Sequence, residues 1–169
     1  MLRLIKTSSL LLLIPIILTT GCQQSKPDPS EKLKPIVDKY VEVWNTGNVD
    51  ELDAIMDINM VRHAESSSAE GLDNVKKLIT GTRTAFPDIN LVLDNEIYVE
   101  NKFAARFSFT ATNTGPGEIP PTGKSVKVWG VVITNFANGK ITEEWVGYNN
   151  QSFMEQLGYT LIPPSSYKE

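Results

Sequence analysis

His63 is the single histidine of the 169-residue chain, and histidine is the side chain best suited to proton transfer near neutral pH. It ends the short, largely apolar segment Met60-Val61-Arg62-His63, which is typical of a brief strand. We therefore expect His63 to act as a general acid or base. The alternative is a histidine that serves structure alone, or one exposed at the edge of a loop.

A second set of residues is suited to binding a substrate. Arg106 stands in a strand-like run between Ala105 and Phe107, where a guanidinium can orient an anionic substrate group. The alternative for Arg106 is a cross-strand ion pair with Glu143 or Glu144. Aromatic side chains at core spacing either line a cavity or fill the core, and four of them are candidates for a substrate-binding lining: Tyr40, Trp44, Trp129 and Trp145.

Other chemistries lack the residues that they need. A chain with one histidine and one cysteine cannot supply a typical zinc site, and no His/Asp/Glu cluster has ligand spacing. The sequence has neither a phosphate-binding glycine loop nor a Gly-x-Ser-x-Gly nucleophile motif. The formal net charge is −4 and no basic run occurs, so nucleic acid is not an expected partner. We expect neither a metal nor a cofactor.

The elements that must position these residues are helices first and strands afterwards. Apolar residues at helical spacing, and later in alternation, predict this order along the chain. Helices followed by strands, without β–α alternation, predict an α+β fold in which a curved antiparallel sheet packs against N-terminal helices. The first predicted helix begins near residues 32–34, and three further helices are predicted over 50–56, 72–85 and 151–157. The predicted strands cover 60–63, 89–99, 103–112 and the two arms of 124–150.

The longest β-rich tract, residues 124–150, surrounds the dipeptide Asn138-Gly139. Asn-Gly is the strongest short-range hairpin signal, because both central residues of that turn need positive φ. The first arm is apolar on both alternations, which predicts a central strand and a homodimer in which a second copy covers one face. The second arm ends in Tyr148, Asn149 and Asn150, and we expect a pocket at this polar end.

The N-terminus has the features of an export signal. Residues 1–21 combine two basic residues with an apolar segment over 10–18 and small residues before Cys22. A lone cysteine in an exported chain has no internal disulfide partner, and Thr-Thr-Gly-Cys resembles a bacterial lipoprotein signal with Cys22 as the lipidated residue. We expect a lipoprotein on the outer side of the bacterial cytoplasmic membrane or in the outer membrane. Its parts are the leader 1–21, the lipidated tether 22–29, a domain over 30–158 and a flexible tail over 159–169.

Five short segments stand in a recognisable order: YVEVWN (40–45), VRH (61–63), TAFPD (84–88), PPTGK (120–124) and GKITEEW (139–145). Together they resemble the SnoaL-like polyketide cyclases and ester cyclases over residues 30–158. The resemblance implies the cone-shaped fold of nuclear transport factor 2, with helices and a curved sheet around a deep pocket. It also implies ring closure by aldol chemistry without metal or cofactor, with an aspartate as general acid and base.

Two departures from the family pattern bear on this chemistry. Where related sequences read Thr-His-Thr-Gly, this chain has Asn113, and where they carry an acidic residue after Glu-Glu-Trp, it has Asn149. Asparagine does not titrate, although it can hydrogen-bond a carbonyl or an enolate. General acid–base catalysis contributes about 10²- to 10⁴-fold, so its loss leaves a weak cyclase at most.

Two functional hypotheses remain. The first is a lipid-anchored cyclase or isomerase that acts on a small, largely apolar carbonyl compound, with His63 as acid or base and with Asn113 and Asn149 stabilising oxyanion charge. The second is a non-catalytic module that binds a small apolar ligand in the same pocket, or that serves as an accessory subunit at the membrane surface. The retained His63 favours the first hypothesis, and the two asparagines favour the second.

Overall fold

The computed structural model describes residues 27–160 and residue 162. The predicted leader, the lipidation of Cys22 and most of the predicted tether and tail lie outside the described residues and stay predictions. Among the helices of the described part, none is both long and apolar enough to cross a bilayer. The described residues correspond to the predicted domain with a few residues on either side.

The first helix, α1, spans Pro29–Thr46 and begins earlier than its apolar spacing predicts. Asp28 caps it, because the Asp28 side chain accepts a hydrogen bond from the backbone N–H of Ser30 at 3.0 Å. Pro29 takes the first helical position, where a missing N–H costs little, and Pro35 lies inside the helix. The predicted start near residues 32–34 is wrong because the capping residues precede the apolar stripe.

The other helices agree with the sequence to different degrees. Helix α3, Leu72–Ala85, confirms the predicted span, and α4, Asn150–Gln156, lies one residue before the predicted closing helix. A 3₁₀ turn at Val49–Glu51 and the four-residue helix α2, Leu52–Ile55, replace the predicted helix over 50–56. That helix is shorter because Met56 already belongs to a strand.

Six strands of the described chain form one open, curved sheet against these helices. The α+β class and the packing of a curved sheet against N-terminal helices are therefore confirmed. The sheet is mixed rather than purely antiparallel, because β1 and β6 pair in parallel. A parallel pair needs a long connection, so no turn motif marks it in the sequence. In the sheet order β2-β1-β6-β5-β4-β3, the strands are β1 Met56–His63, β2 Ala69–Glu70, β3 Asn90–Val99, β4 Lys102–Thr112, β5 Ser125–Ala137 and β6 Lys140–Tyr148.

The Asn-Gly hairpin forms as predicted between β5 and β6. Asn138 and Gly139 both have positive φ, at 52° and 74°, and β5 lies between β6 and β4 in the interior of the sheet. Strand β5 is apolar on both alternations, but only one of its faces is covered. Val132 is 7% exposed, whereas the neighbouring Val131 is 52% exposed.

The two faces of the sheet can be defined by the residues of β5. We call inner the face of Val126, Val128 and Val132, which are buried, and outer the face of Trp129, Val131 and Ile133, which are exposed. The main hydrophobic core lies between the inner face and helices α1 and α3. Gly130 belongs to the inner face, where a Cβ atom would collide with the backbone oxygen of Gly147 and with the ring of Phe107. A larger residue at Gly130 would therefore displace an aromatic ring of the core.

Candidate active site

A partly open cavity of about 160 Å³ lies between the inner face of the sheet and the helices. Side chains from α1, α3, α4 and strands β1 and β3–β6 line it, and most of them are aliphatic or aromatic. Such a lining, with a small number of polar groups, is typical of a small-molecule site. The polar groups of the lining are Tyr40, Arg62, Ser67, Thr82, Thr134, Glu144 and Tyr148.

A buried ion pair forms the charged part of this lining. Arg62 of β1 and Glu144 of β6 stand opposite each other in the parallel pair and are only 6% and 2% exposed. Arg62 Nη1 donates a hydrogen bond to Glu144 Oε2. The hydroxyl of Tyr40 donates to the same oxygen at 3.3 Å, so neither of these two bonds uses Oε1 of Glu144.

The neighbours of the Arg62–Glu144 pair stabilise the charge of Arg62. The guanidinium of Arg62 lies over the ring of Trp44, with Cζ 5.6 Å from the ring centroid. Burial opposes the charge of Arg62, but the Glu144 carboxylate and the other neighbours outweigh burial and raise the pKa of the guanidinium. Burial, and then Glu144, raise the pKa of the Tyr40 phenol far above its ordinary value. Tyr40 is therefore a hydrogen-bond donor at neutral pH.

His63 lies outside this cavity. It follows Arg62 in β1 and therefore has its side chain on the opposite side of the strand. The ring of His63 stacks on Trp145, with centroids 5.1 Å apart, and Nε2 lies 3.0 Å from Oε1 of Glu143. All three residues are on the outer face and half-exposed. The role of His63 as acid or base stays a prediction, and its position does not support that role in the cavity.

The two asparagines serve local structure and do not meet His63 at the cavity. Asn113 is fully buried beyond the end of β4, where its amide donates to Ala85 O at 3.3 Å and its carbonyl accepts from Thr122 N at 2.8 Å. Asn149 caps α4, because its side chain accepts a hydrogen bond from Ser152 N at 2.9 Å. Neither asparagine belongs to the cavity lining, so the expected convergence with His63 does not occur.

The five predicted substrate-binding residues divide between the two faces. Tyr40 and Trp44 line the cavity. Arg106, Trp129 and Trp145 lie on the outer face, where Trp129 is 62% exposed. Arg106 forms a cross-strand ion pair, but with Asp94 at 2.7 Å rather than with Glu143 or Glu144, and its guanidinium lies over the ring of Trp129.

The sequence interpretation missed Arg62 and Glu144 as site residues. The inward direction of Arg62 could be predicted from the alternation of β1, because Arg62 is two residues from the apolar Met60 and therefore shares its face. The inward direction of Glu144 could not, because β6 is irregular: Ile141 pairs with Phe136, but Glu143 pairs with Asn135. The extra residue, Thr142, shifts the alternation, so Glu144 and not Glu143 faces inward.

Comparisons with known proteins indicate the fold and the family. The SnoaL-like polyketide cyclase model matches residues 34–157, whereas a search of curated proteins found no match. A candidate SnoaL-like polyketide cyclase from Jannaschia sp. CCS1 is 18% identical with a TM-score of 0.71, over 82% of this chain and 99% of that one. TsrD from Streptomyces laurentii is 20% identical with a TM-score of 0.69, over 76% and 96%.

A third solved structure has a higher identity. AclR from Streptomyces galilaeus, a candidate hydroxylase, is 27% identical with a TM-score of 0.67, over 82% of this chain and 88% of that one. The three structures share the helix-and-sheet fold described above, and the family model spans most of the chain. The chain therefore belongs to the SnoaL-like polyketide cyclase family.

Proposed function

We propose that this protein takes a small, largely apolar carbonyl compound into the cavity and cyclises or isomerises it by acid–base chemistry without a cofactor. The observation that carries the proposal is a largely apolar cavity that contains one buried ion pair, Arg62–Glu144. The ion pair supplies both a proton acceptor and a cation, and burial among apolar side chains lowers the dielectric constant around them. Family membership supports the same reaction class.

Glu144 is the proton acceptor in this proposal. It is the one carboxylate among the lining residues that the structure describes, and His63 lies on the other side of the sheet. An acid–base group acts only within hydrogen-bond reach of the proton that it moves. A ligand in the cavity meets this condition with Glu144 and not with His63.

Hydrogen–deuterium exchange tests the role of Glu144 without knowledge of the natural substrate. The purified protein is mixed with acetophenone in D₂O, and NMR follows deuterium incorporation at the methyl group next to the carbonyl. We expect the wild-type protein to accelerate exchange and Glu144→Gln to lose about 10²- to 10⁴-fold of that acceleration.

The neighbouring Glu143 offers a matched control for this assay. Glu143→Gln changes the same chemical group on the outer face, and we expect it to retain the wild-type rate. His63→Ala tests the histidine in the same way. A wild-type rate in Glu144→Gln contradicts the role of Glu144, and a large loss in His63→Ala would restore the histidine as the acid–base group.

A non-catalytic binding module is the second candidate function. The observation in its favour is that His63, Asn113 and Asn149 are absent from the lining of the cavity. In that case acetophenone binds without any acceleration of exchange. Ligand-detected thermal shift, measured beside the exchange assay, separates the two candidates, because a shift in melting temperature without exchange supports binding alone.

We also propose that the protein is exported and anchored through a lipid on Cys22. The apolar segment over 10–18 and the small residues before the lone cysteine support this proposal. Mass spectrometry of the mature N-terminus tests it, with acyl-modified Cys22 as the expected product. An unmodified Cys22, or an intact leader, contradicts it.

A homodimer through the outer face is the last part of the proposal. This face exposes Val92, Trp129, Val131, Ile133 and Trp145, and a contiguous apolar patch of this kind marks an interaction site. The same face carries the ion pair Arg106–Asp94 and the contact between His63 and Glu143. Because both signs of charge are present, two copies related by a twofold axis can complement each other. Sedimentation tests the dimer, and a pure monomer at micromolar concentration contradicts it.

A further inference from the structure

We propose that Arg62 Nε is the donor that recognises the carbonyl oxygen of the cavity ligand, and that Glu144 makes the cavity select a neutral carbonyl over a carboxylate. This inference rests on the proposed function and identifies the part of the ligand that the cavity recognises. It concerns binding selectivity, so its test is independent of turnover.

One buried donor of Arg62 has no partner in the described part of the chain. A guanidinium has five N–H donors, and Nε of Arg62 is a buried atom that finds no acceptor in the described part of the chain. A buried donor without an acceptor costs about as much as a lost hydrogen bond. Arg62 is part of the cavity lining, but Nε itself is covered by neighbouring atoms. In this proposal a ligand oxygen displaces those atoms and accepts the missing bond.

The charges of the site decide which oxygen is preferred. Arg62 and Glu144 sum to zero, and both are almost fully buried. A carboxylate ligand would add a third, unbalanced charge to an apolar cavity, which is costly. A ketone or aldehyde oxygen accepts the bond from Nε without adding charge. The Arg62–Glu144 pair therefore selects against anions, although it contains an arginine.

Stability alone gives no reason for this pair. A buried ion pair is often replaced by apolar residues without loss of stability. Here the guanidinium is held by Glu144 and lies over Trp44, and Tyr40 donates to the same carboxylate. These contacts come from α1, β1 and β6, and they fix the direction of Nε before a ligand enters. A preorganised donor of this kind favours recognition, because little is spent on ordering it.

The pair also balances the charge of the proposed reaction. The C–H bond next to the carbonyl breaks, an O–H bond forms on Glu144, and the electron pair moves to the carbonyl oxygen. The resulting enolate carries the negative charge that Glu144 has lost, and Arg62 pairs with the enolate instead. The formal charge of the site stays zero throughout the step, so no net charge is created in the cavity.

The volume of the cavity sets the size of the probes. An engineered cavity of about 150 Å³ admits benzene, and this cavity measures about 160 Å³. Three single-ring compounds of similar shape therefore make a matched series. Acetophenone presents a neutral carbonyl, α-methylstyrene replaces that carbonyl by a methylene group, and benzoate presents a carboxylate.

Calorimetric titration of these three probes tests the inference. We expect the wild-type protein to bind acetophenone at least about tenfold more tightly than α-methylstyrene, because a charged donor adds one hydrogen bond. Benzoate is expected to bind most weakly. Glu144→Gln removes the negative charge and should raise the affinity for benzoate, relative to that for acetophenone, at least about tenfold.

Two variants keep the test interpretable when a single charge change impairs folding. The double variant Arg62→Met/Glu144→Gln removes both charges, and we expect it to bind α-methylstyrene as the wild type does and to lose the preference for the ketone. Arg106→Met removes an arginine from the outer face and should leave all three affinities unchanged.

The outcomes separate the inference from the function on which it rests. Equal affinities of the wild type for acetophenone and α-methylstyrene would overturn the recognition by Nε. An unchanged benzoate affinity in a folded Glu144→Gln variant would overturn the selection by charge. If none of the three probes binds the wild-type protein, the proposed function itself fails.

Discussion

The inner and outer faces of the sheet carry similar residue types in different surroundings. Both have large apolar side chains, and both have acidic residues paired with a basic one. On the inner face the pair is Arg62–Glu144, which is buried, whereas the pairs Arg106–Asp94 and His63–Glu143 of the outer face are half-exposed. An exposed ion pair contributes about 0–1 kcal/mol, whereas loss of one partner of a buried pair costs several times more. The burial of a charged residue therefore decides its chemical role, and the residue type alone does not.

Val131 and Val132 of β5 give the largest expected difference between the faces. Val132→Asp places an unpaired carboxylate in the core, and we expect a loss of about 4 kcal/mol or more in the free energy of unfolding. Val131→Asp makes the same change on the exposed face and should stay within about 0.5 kcal/mol for the monomer. Urea unfolding followed by circular dichroism measures both. Similar losses in the two variants would show that the outer face is covered in the monomer.

Glu144 and Glu143 of β6 give the next largest difference. Glu144→Leu leaves the charge of Arg62 buried and unpaired, which is expected to cost about 3–5 kcal/mol in the free energy of unfolding. The double variant Arg62→Met/Glu144→Leu should recover most of that loss, because no buried charge remains. Glu143→Leu serves as the control and should cost less than about 1 kcal/mol. A double variant as unstable as Glu144→Leu would contradict this account.

Trp129 tests what covers the outer face in solution. As the most exposed tryptophan of the face, it is expected to be an anchor of the proposed dimer. Trp129→Ala should weaken dimerisation by about 2 kcal/mol, which is roughly a thirtyfold rise in the dissociation constant. Sedimentation equilibrium measures that constant, and the unfolding of the monomer should not change. A dimer of unchanged strength would place the interface elsewhere.

Asp94→Asn is expected to have the smallest effect. It breaks the half-exposed pair with Arg106, and the expected loss is below about 1 kcal/mol in the free energy of unfolding. High salt should remove even this difference, because mobile ions screen exposed charges. A loss of several kcal/mol in dilute salt would mean that the outer pair is buried in an assembly.

Much of the fold could be predicted from the sequence because it depends on local sequence patterns. The positive φ values of Asn138 and Gly139, the span of α3 and the run of strands after Pro87 all follow from turn chemistry and periodicity. Five segments in order indicate the family. The parallel pairing of β1 with β6 carries no local signal, since it depends on contacts between distant residues.

The site residues were harder to predict from the sequence, because strand alternation tells which residues share a face but not which face is covered. The aromatic residues Trp129 and Trp145 were expected at the site for their type, and they lie on the uncovered face. Within β6 the alternation itself is interrupted at Thr142, which exchanges the directions of Glu143 and Glu144. One additional residue in a strand is invisible to a periodic pattern, and here it decides which carboxylate is buried.

The base of the Pro- and Gly-rich connection between β4 and β5 is hydrogen-bonded to one backbone oxygen of α3. The carbonyl oxygen of Ala85, at the end of α3, accepts hydrogen bonds from the backbone N–H groups of Thr114 and Gly115 and from the side chain of Asn113. The exposed residues 116–118 lie beyond this attachment. A reporter peptide inserted there would extend from the surface and leave these three hydrogen bonds in place, which makes this connection a suitable place to label the protein.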